Sequence, residues 1–171
     1  MKKIIYSICL LSLLFSLSYC GKKGDEKEKR LKKQIGQMLI VGFRGTELTP
    51  DNQIVSDIQN LNIGGVVLFD YDVPSKSFNR NILNPDQLKK LNEDLQNLTN
   101  EKLIISVDQE GSVNRLKSEY GFPALCSAQR LGDLNDKDST QYYARLTAQT
   151  LRETGFNVNF APCVDVNINP E

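Results

Sequence analysis

Four short apolar runs rich in β-branched residues recur along the chain, at 38–43, 66–69, 103–107 and within 157–166. Each has the length of a buried strand, and the stretches between them carry helical spacing. Thr49-Pro50-Asp51 offers an N-cap, a proline at the first helical position and an early acid, after which Ile54, Ile58 and Leu61 recur on one face. Gly64-Gly65 closes that unit. A long, mostly polar loop (70–84) follows, then Pro85 opens a helix whose Leu88, Leu91, Leu95 and Leu98 form an apolar stripe. Ser139 or Asp138 is suited to cap a third helix carrying Tyr143, Leu146, Thr150 and Leu151, closed by Gly155.

The predicted order is β-α-β-α-β-α-β, an α/β fold of about four parallel strands with right-handed helical crossovers. Near-continuous apolar strands, the first of them included, should be covered on both faces. Two architectures fit: an open doubly wound sheet, or part of a (β/α)8 TIM barrel. A whole barrel needs about 250 residues, so this length supplies about half of one. No glycine-rich phosphate loop follows any strand, which argues against nucleotide binding.

The first twenty residues read as an export signal and not as part of the fold. Lys2 and Lys3 precede an apolar core at 4–17, too short to span a bilayer. Leu17-Ser18-Tyr19-Cys20-Gly21 resembles a bacterial lipobox, which makes Cys20 the expected lipidation site and the protein an exported, membrane-anchored lipoprotein. Residues 21–33 are almost all charged with no apolar period, and are expected to form a flexible tether. The folded domain is then 34–171.

Composition narrows the chemistry. Lys+Arg and Asp+Glu number 21 each, so no cationic face for nucleic acid is expected. The chain contains no histidine, which removes imidazole bases and ligands, and neither a metal nor a cofactor is expected. Of the four cysteines, Cys9 leaves with the signal and Cys20 is acylated. Cys126 and Cys163 are expected as small buried hydrophobes, not a disulfide framework.

The candidate functional residues stand at strand ends, where ligands bind in parallel α/β proteins. Asp108 and Glu110 are two apart and share a side if the chain stays extended. Paired carboxylates suit sugar hydroxyls, acid–base work or a hard cation. Arg115 and Lys117 follow closely, and an arginine there can orient Asp108 or bind a polar ligand. The alternative is that the acids cap the next turn and accept backbone N–H groups. Asp165, at the end of the fourth strand, faces either a barrel mouth or a structural network, and Asn159 is expected to brace a loop.

Four blocks also carry a family resemblance. Ile35-Gly36-Gln37-Met38-Leu39-Ile40-Val41-Gly42-Phe43, Ile63-Gly64-Gly65-Val66-Val67-Leu68-Phe69, Val107-Asp108-Gln109-Glu110-Gly111 with Arg115-Leu116, and Asn157-Val158-Asn159-Phe160-Ala161-Pro162 with Asp165-Val166-Asn167 resemble the N-terminal half of a family 3 glycoside hydrolase. The Asp-Gln-Glu-Gly form is most similar to the β-N-acetylhexosaminidase branch. The resemblance implies a (β/α)8 barrel and retaining hydrolysis of terminal β-linked N-acetylglucosamine from peptidoglycan-type fragments. It implies that Asp108 and Arg115 bind substrate. It also implies that the nucleophile and the His–Asp acid/base loop belong to a C-terminal half absent from this chain, so no catalytic residue is expected here. The family run Glu-Gly-Gly-Arg-Val-x-Arg is one residue shorter in this chain and lacks its first arginine. A β-glucosidase, and a non-catalytic lipid-anchored module that binds sugar or assembles with a partner, are the alternatives.

Overall fold

The computed structural model describes residues 24–164 with the exception of Ser112. Cys20 and Asp165 lie outside the described residues. Helix α1 occupies 24–36, followed by β1 (Ile40–Gly42), α2 (Gln53–Leu61), β2 (Gly65–Val67), β3 (Tyr71–Asp72), β4 (Ser77–Phe78) and α3 (Pro85–Gln96). Strand β5 (Ile104–Val107), a 3-10 turn (Ser118–Tyr120), α4 (Ala128–Leu134), α5 (Lys137–Glu153) and β6 (Val158–Asn159) complete the order. The main sheet is parallel throughout and runs β1-β2-β5-β6, each strand beside the one before it in the chain; β3 and β4 form a separate antiparallel hairpin. A doubly wound sheet reverses its strand order at a switch point. No reversal occurs among the described strands, so the sheet is singly wound.

The helical stripes pack largely as their spacing predicts, although Leu98 lies past the end of α3 and is half-buried. Ile54 and Ile58 of α2 and Leu88, Leu91 and Leu95 of α3 are buried against Val66, Leu68, Ile105 and Val107. Truncating one such leucine to alanine costs about 2–5 kcal/mol. Register places Val41, Val66 and Ile105 in one row across the sheet, on the face that joins this core. The other face is covered unevenly: Ile40 is exposed and Ile104 half-buried, whereas Gly65 and Ser106 are buried. The expectation that the strands are covered on both faces is therefore corrected for the first strand, which is not buried. Strand β1 sits at the sheet edge, and Met38 is 81% exposed beside it.

Other boundaries move for local reasons. Helix α2 is capped by Asn52, which accepts from the Ile54 amide, because Thr49-Pro50-Asp51 is spent on a preceding turn. Leu61 is exposed, since the left-handed Asn62 ends the helix there. Helix α5 is capped by Asp136, and the candidates Asp138 and Ser139 donate their amides to it. Gly155 follows with φ 86°, and a Cβ there would stand 3.1 Å from Cβ of Asn92. The fourth strand shortens to Val158–Asn159.

Three further expectations are revised. Within the supposed tether, residues 24–33 are helical and exposed; Lys and Glu are good helix formers, and Lys32 pairs with Glu28 one turn away at 2.8 Å. Cys126 is half-buried and Cys163 exposed, and both are free thiols. The polar loop 70–84 contains the β3–β4 hairpin, and a short helix, α4, opens behind Ser127. Among the described residues, no helix is long and apolar enough to cross a membrane.

Candidate functional site

The carboxyl ends of β2 and β5 bring acids and cations together. Leaving β5, the chain alternates: Asp108 and Glu110 remain partly open while Gln109 between them is buried. Arg115 reaches back over this strand end. Its Nη2 lies 3.6 Å from Oδ2 of Asp108, and its Nη1 lies 3.3 Å from Oδ1 of Asp70. Lys117 Nζ holds the other Asp70 oxygen at 3.0 Å. Phe69 lies under two guanidinium groups, 4.9 Å from Arg80 and 5.5 Å from Arg115.

Asp70 is the buried centre of this group, only 2% exposed, and two cations meet the requirement of a carboxylate taken out of water. Burial depresses the Lys117 pKa, but the Asp70 hydrogen bond and charge, with smaller contributions from Tyr120 and Glu119, outweigh it, so the value is raised overall. The ammonium is thus held in its charged form. Arg115 Nε is buried without a partner, and Asp108 keeps about a third of its side chain open. The arrangement can accept and donate hydrogen bonds to a polar, hydroxyl-bearing ligand.

Gln109 sets the position of Arg115. Its Oε1 accepts from the backbone N–H groups of Arg115 at 2.8 Å and Leu116 at 2.9 Å, and its Nε2 donates to Asn114 at 2.8 Å. The shortened run after Glu110 therefore still delivers Arg115 to Asp108. Asn159 braces the same strand end as expected, exchanging two amide hydrogen bonds with the Gln109 backbone, each 3.0 Å. Glu110 does not join Asp108; its carboxylate accepts from the Cys163 amide at 2.7 Å. That contact matches the structural alternative, a carboxylate satisfied by backbone N–H.

Sequence reasoning passed over Asp70, although it follows a strand just as Asp108 does, and the same strand-end argument would have marked it. It also passed over Gln109 and Asp72. Asp72 is buried, paired with Arg44 at 3.0 Å and Arg80 at 3.4 Å. The Ser75 hydroxyl, then Arg44, hold its carboxyl from the ordinary 3.8 down to about 2, against the opposing pull of burial. The folded state binds that proton more weakly than the unfolded chain. The resulting stability is complete above pH 3.8 and is lost as the pH falls towards 2. In an acid titration followed by hairpin amide resonances, D72N is expected to lose this acid-dependent component.

A hollow of about 1050 Å³ is separate. It lies between the strand ends and the α4–α5 pair, lined by Glu110, Cys126, Leu131, Tyr143, Leu151 and Pro162, and includes neither Asp108 nor Arg115. Among the described residues, no three His, Cys, Asp or Glu side chains converge as metal ligands would.

A singly wound parallel sheet with ligand-ready polar groups at its carboxyl ends defines a class of α/β domain that comparison with known proteins resolves further. The profile of the glycosyl hydrolase family 3 N terminal domain matches residues 30–171. The chain belongs to that family. A beta-hexosaminidase of Alkalilimnicola ehrlichii is 31% identical over 135 residues, 75% of this chain and 35% of the relative. A family 3 beta-N-acetylglucosaminidase from Paenibacillus sp. superposes with TM-score 0.70 at 33% identity, over 82% of this chain and 25% of that one. NagZ from Neisseria gonorrhoeae, solved in complex with N-trifluoroacetyl-D-glucosamine, gives TM-score 0.60 at 28% identity, over 76% and 37%. The chain spans about a third of the length of the curated relatives it matches.

Proposed function

We propose that this chain forms the first strands of a (β/α)8 barrel and supplies part of the substrate site of a retaining β-N-acetylhexosaminidase. In this reading Asp108 and Arg115 bind the hydroxyl groups of a terminal β-linked N-acetylglucosamine of peptidoglycan-type fragments. Asp70, Lys117 and Gln109 fix Arg115, while the nucleophile and acid/base groups belong to the portion of the relatives that this chain does not span. The observation that carries it is Arg115 bridging Asp108 and buried Asp70 at the strand ends, in a family whose matched members are named for hexosaminide cleavage. Asp165, outside the described residues, is a further candidate for the same pocket.

The test is a titration of the full chain with N-acetylglucosamine, followed by NMR. D108A and R115A are each expected to weaken binding by roughly tenfold to a hundredfold, the value of a charge-assisted hydrogen bond. Unchanged affinity in both variants, or a preference for glucose, counts against the reading; the latter favours a β-glucosidase. The exposed Met38, Leu39 and Ile40 support a second element of the reading, that this sheet packs against further structure.

We also propose that Cys20 carries a lipid anchor, on the strength of the apolar segment and the cysteine–glycine that ends it. Labelled fatty acid should be incorporated by the full chain and not by C20A.

A further inference from the structure

The β3–β4 hairpin stands on the same strand ends as Asp108 and Arg115, yet sugar binding as described makes no use of it. Its two faces differ. On one, Asp72 is buried and tied by Arg44 and Arg80 to the chain after β1 and to the hairpin's own exit. On the other, Tyr71 pairs across the ladder with Phe78, the rings 4.9 Å apart and tilted by 59°. Phe78 keeps 56% of its surface in water, and Val73, in the turn that follows β3, is exposed as well. An isolated hairpin of this size is at best marginally stable. Here the ion pairs of the hidden face provide the anchorage, and the apolar strip is held out rigidly with no folding gain from its exposed area.

Lys117 links this strip to the polar site. Its Nζ is 4.6 Å from the Phe78 ring centroid and 3.0 Å from Asp70, which in turn holds Arg115. The apolar surface therefore begins one side chain away from the groups that face Asp108. A pyranose ring presents hydroxyls at its rim and C–H groups on its faces, and this place offers both kinds of partner.

We propose that Tyr71 and Phe78 form the wall of a second saccharide position, in which the C–H face of the sugar joined to the one at Asp108 and Arg115 lies on Phe78. Lys117 donates to a hydroxyl between the two positions. The inference rests on the sugar-binding reading above, and its test separates the two. The full chain is titrated with N-acetylglucosamine and with its β-1,4-linked disaccharide, in parallel with F78A, F78W and D108A. The unaltered chain is expected to bind the disaccharide about tenfold more tightly than the monosaccharide, from burial of apolar ring surface. F78A should abolish that advantage and leave monosaccharide affinity within about twofold; F78W, which keeps the platform, should retain it, and D108A should weaken both sugars. A disaccharide that binds no better than the monosaccharide, or an advantage that survives F78A, overturns the second position while the first stands. Binding of neither sugar overturns both.

Discussion

Replacing Gln109 with alanine is expected to cost about 3–4 kcal/mol of stability and to remove most of the affinity for sugar. The side chain is 1% exposed, and its single oxygen satisfies the amides of Arg115 and Leu116. Alanine leaves those donors without an acceptor, at about 1–3 kcal/mol for each buried orphan, and adds a small cavity. The functional loss follows from the same bonds, because they fix the backbone from which Arg115 reaches Asp70 and Asp108. Q109L tests the division of these effects: it refills the volume without restoring an acceptor, so it should recover little of either. Denaturant unfolding measures the first loss and sugar titration the second. A variant with normal stability and weakened binding would show that Gln109 acts on the ligand directly.

The second large effect is expected at Gly64. A Cβ there would stand 2.1 Å from the carbonyl oxygen and 2.8 Å from the carbonyl carbon of Gln37, both backbone atoms that cannot rotate away. Gly36 stands across the same contact, its oxygen accepting from the Gly64 amide at 2.9 Å, and a Cβ on it would meet the Leu61 oxygen. The turn after α1 and the entry to β2 thus approach backbone to backbone. G64A must separate them and is expected to cost about 3 kcal/mol or more, at or above the upper end of ordinary overpacking. Gly132 is the control. It lies within α4 with open space around its Cβ position, so G132A should stabilise by roughly 0.5–1 kcal/mol. Thermal unfolding of the two variants against the unaltered chain checks both signs.

The parts of the fold legible in advance are those that depend on near neighbours in the chain. The Pro85 start of α3 with Leu88, Leu91 and Leu95, the Gly155 stop and the β5 strand appear where their spacing placed them, while β2 begins at Gly65 and ends at Val67, short of the expected Phe69. Caps were displaced by a few residues, since Asn52 and Asp136 compete with adjacent residues of equal capping ability. The hairpin escaped notice because strands of two residues show no period. Its stability comes from Asp72, whose cations lie at Arg44 and Arg80, and neither is announced by local pattern.

Local order along the chain thus determined that this protein alternates parallel strands and helices, and that acids stand at the strand ends. Only the tertiary structure decided which acid is buried and which stays open: Asp70 takes two cations from beyond the next helix, and Asp108 retains free surface. It also decided that Glu110 turns to the Cys163 amide and that Gln109, an ordinary polar letter in sequence, holds Arg115 in place. The physical reason is one of range. Periodicity and capping are set within a few residues, whereas desolvation and ion pairing depend on which distant segments the sheet brings side by side.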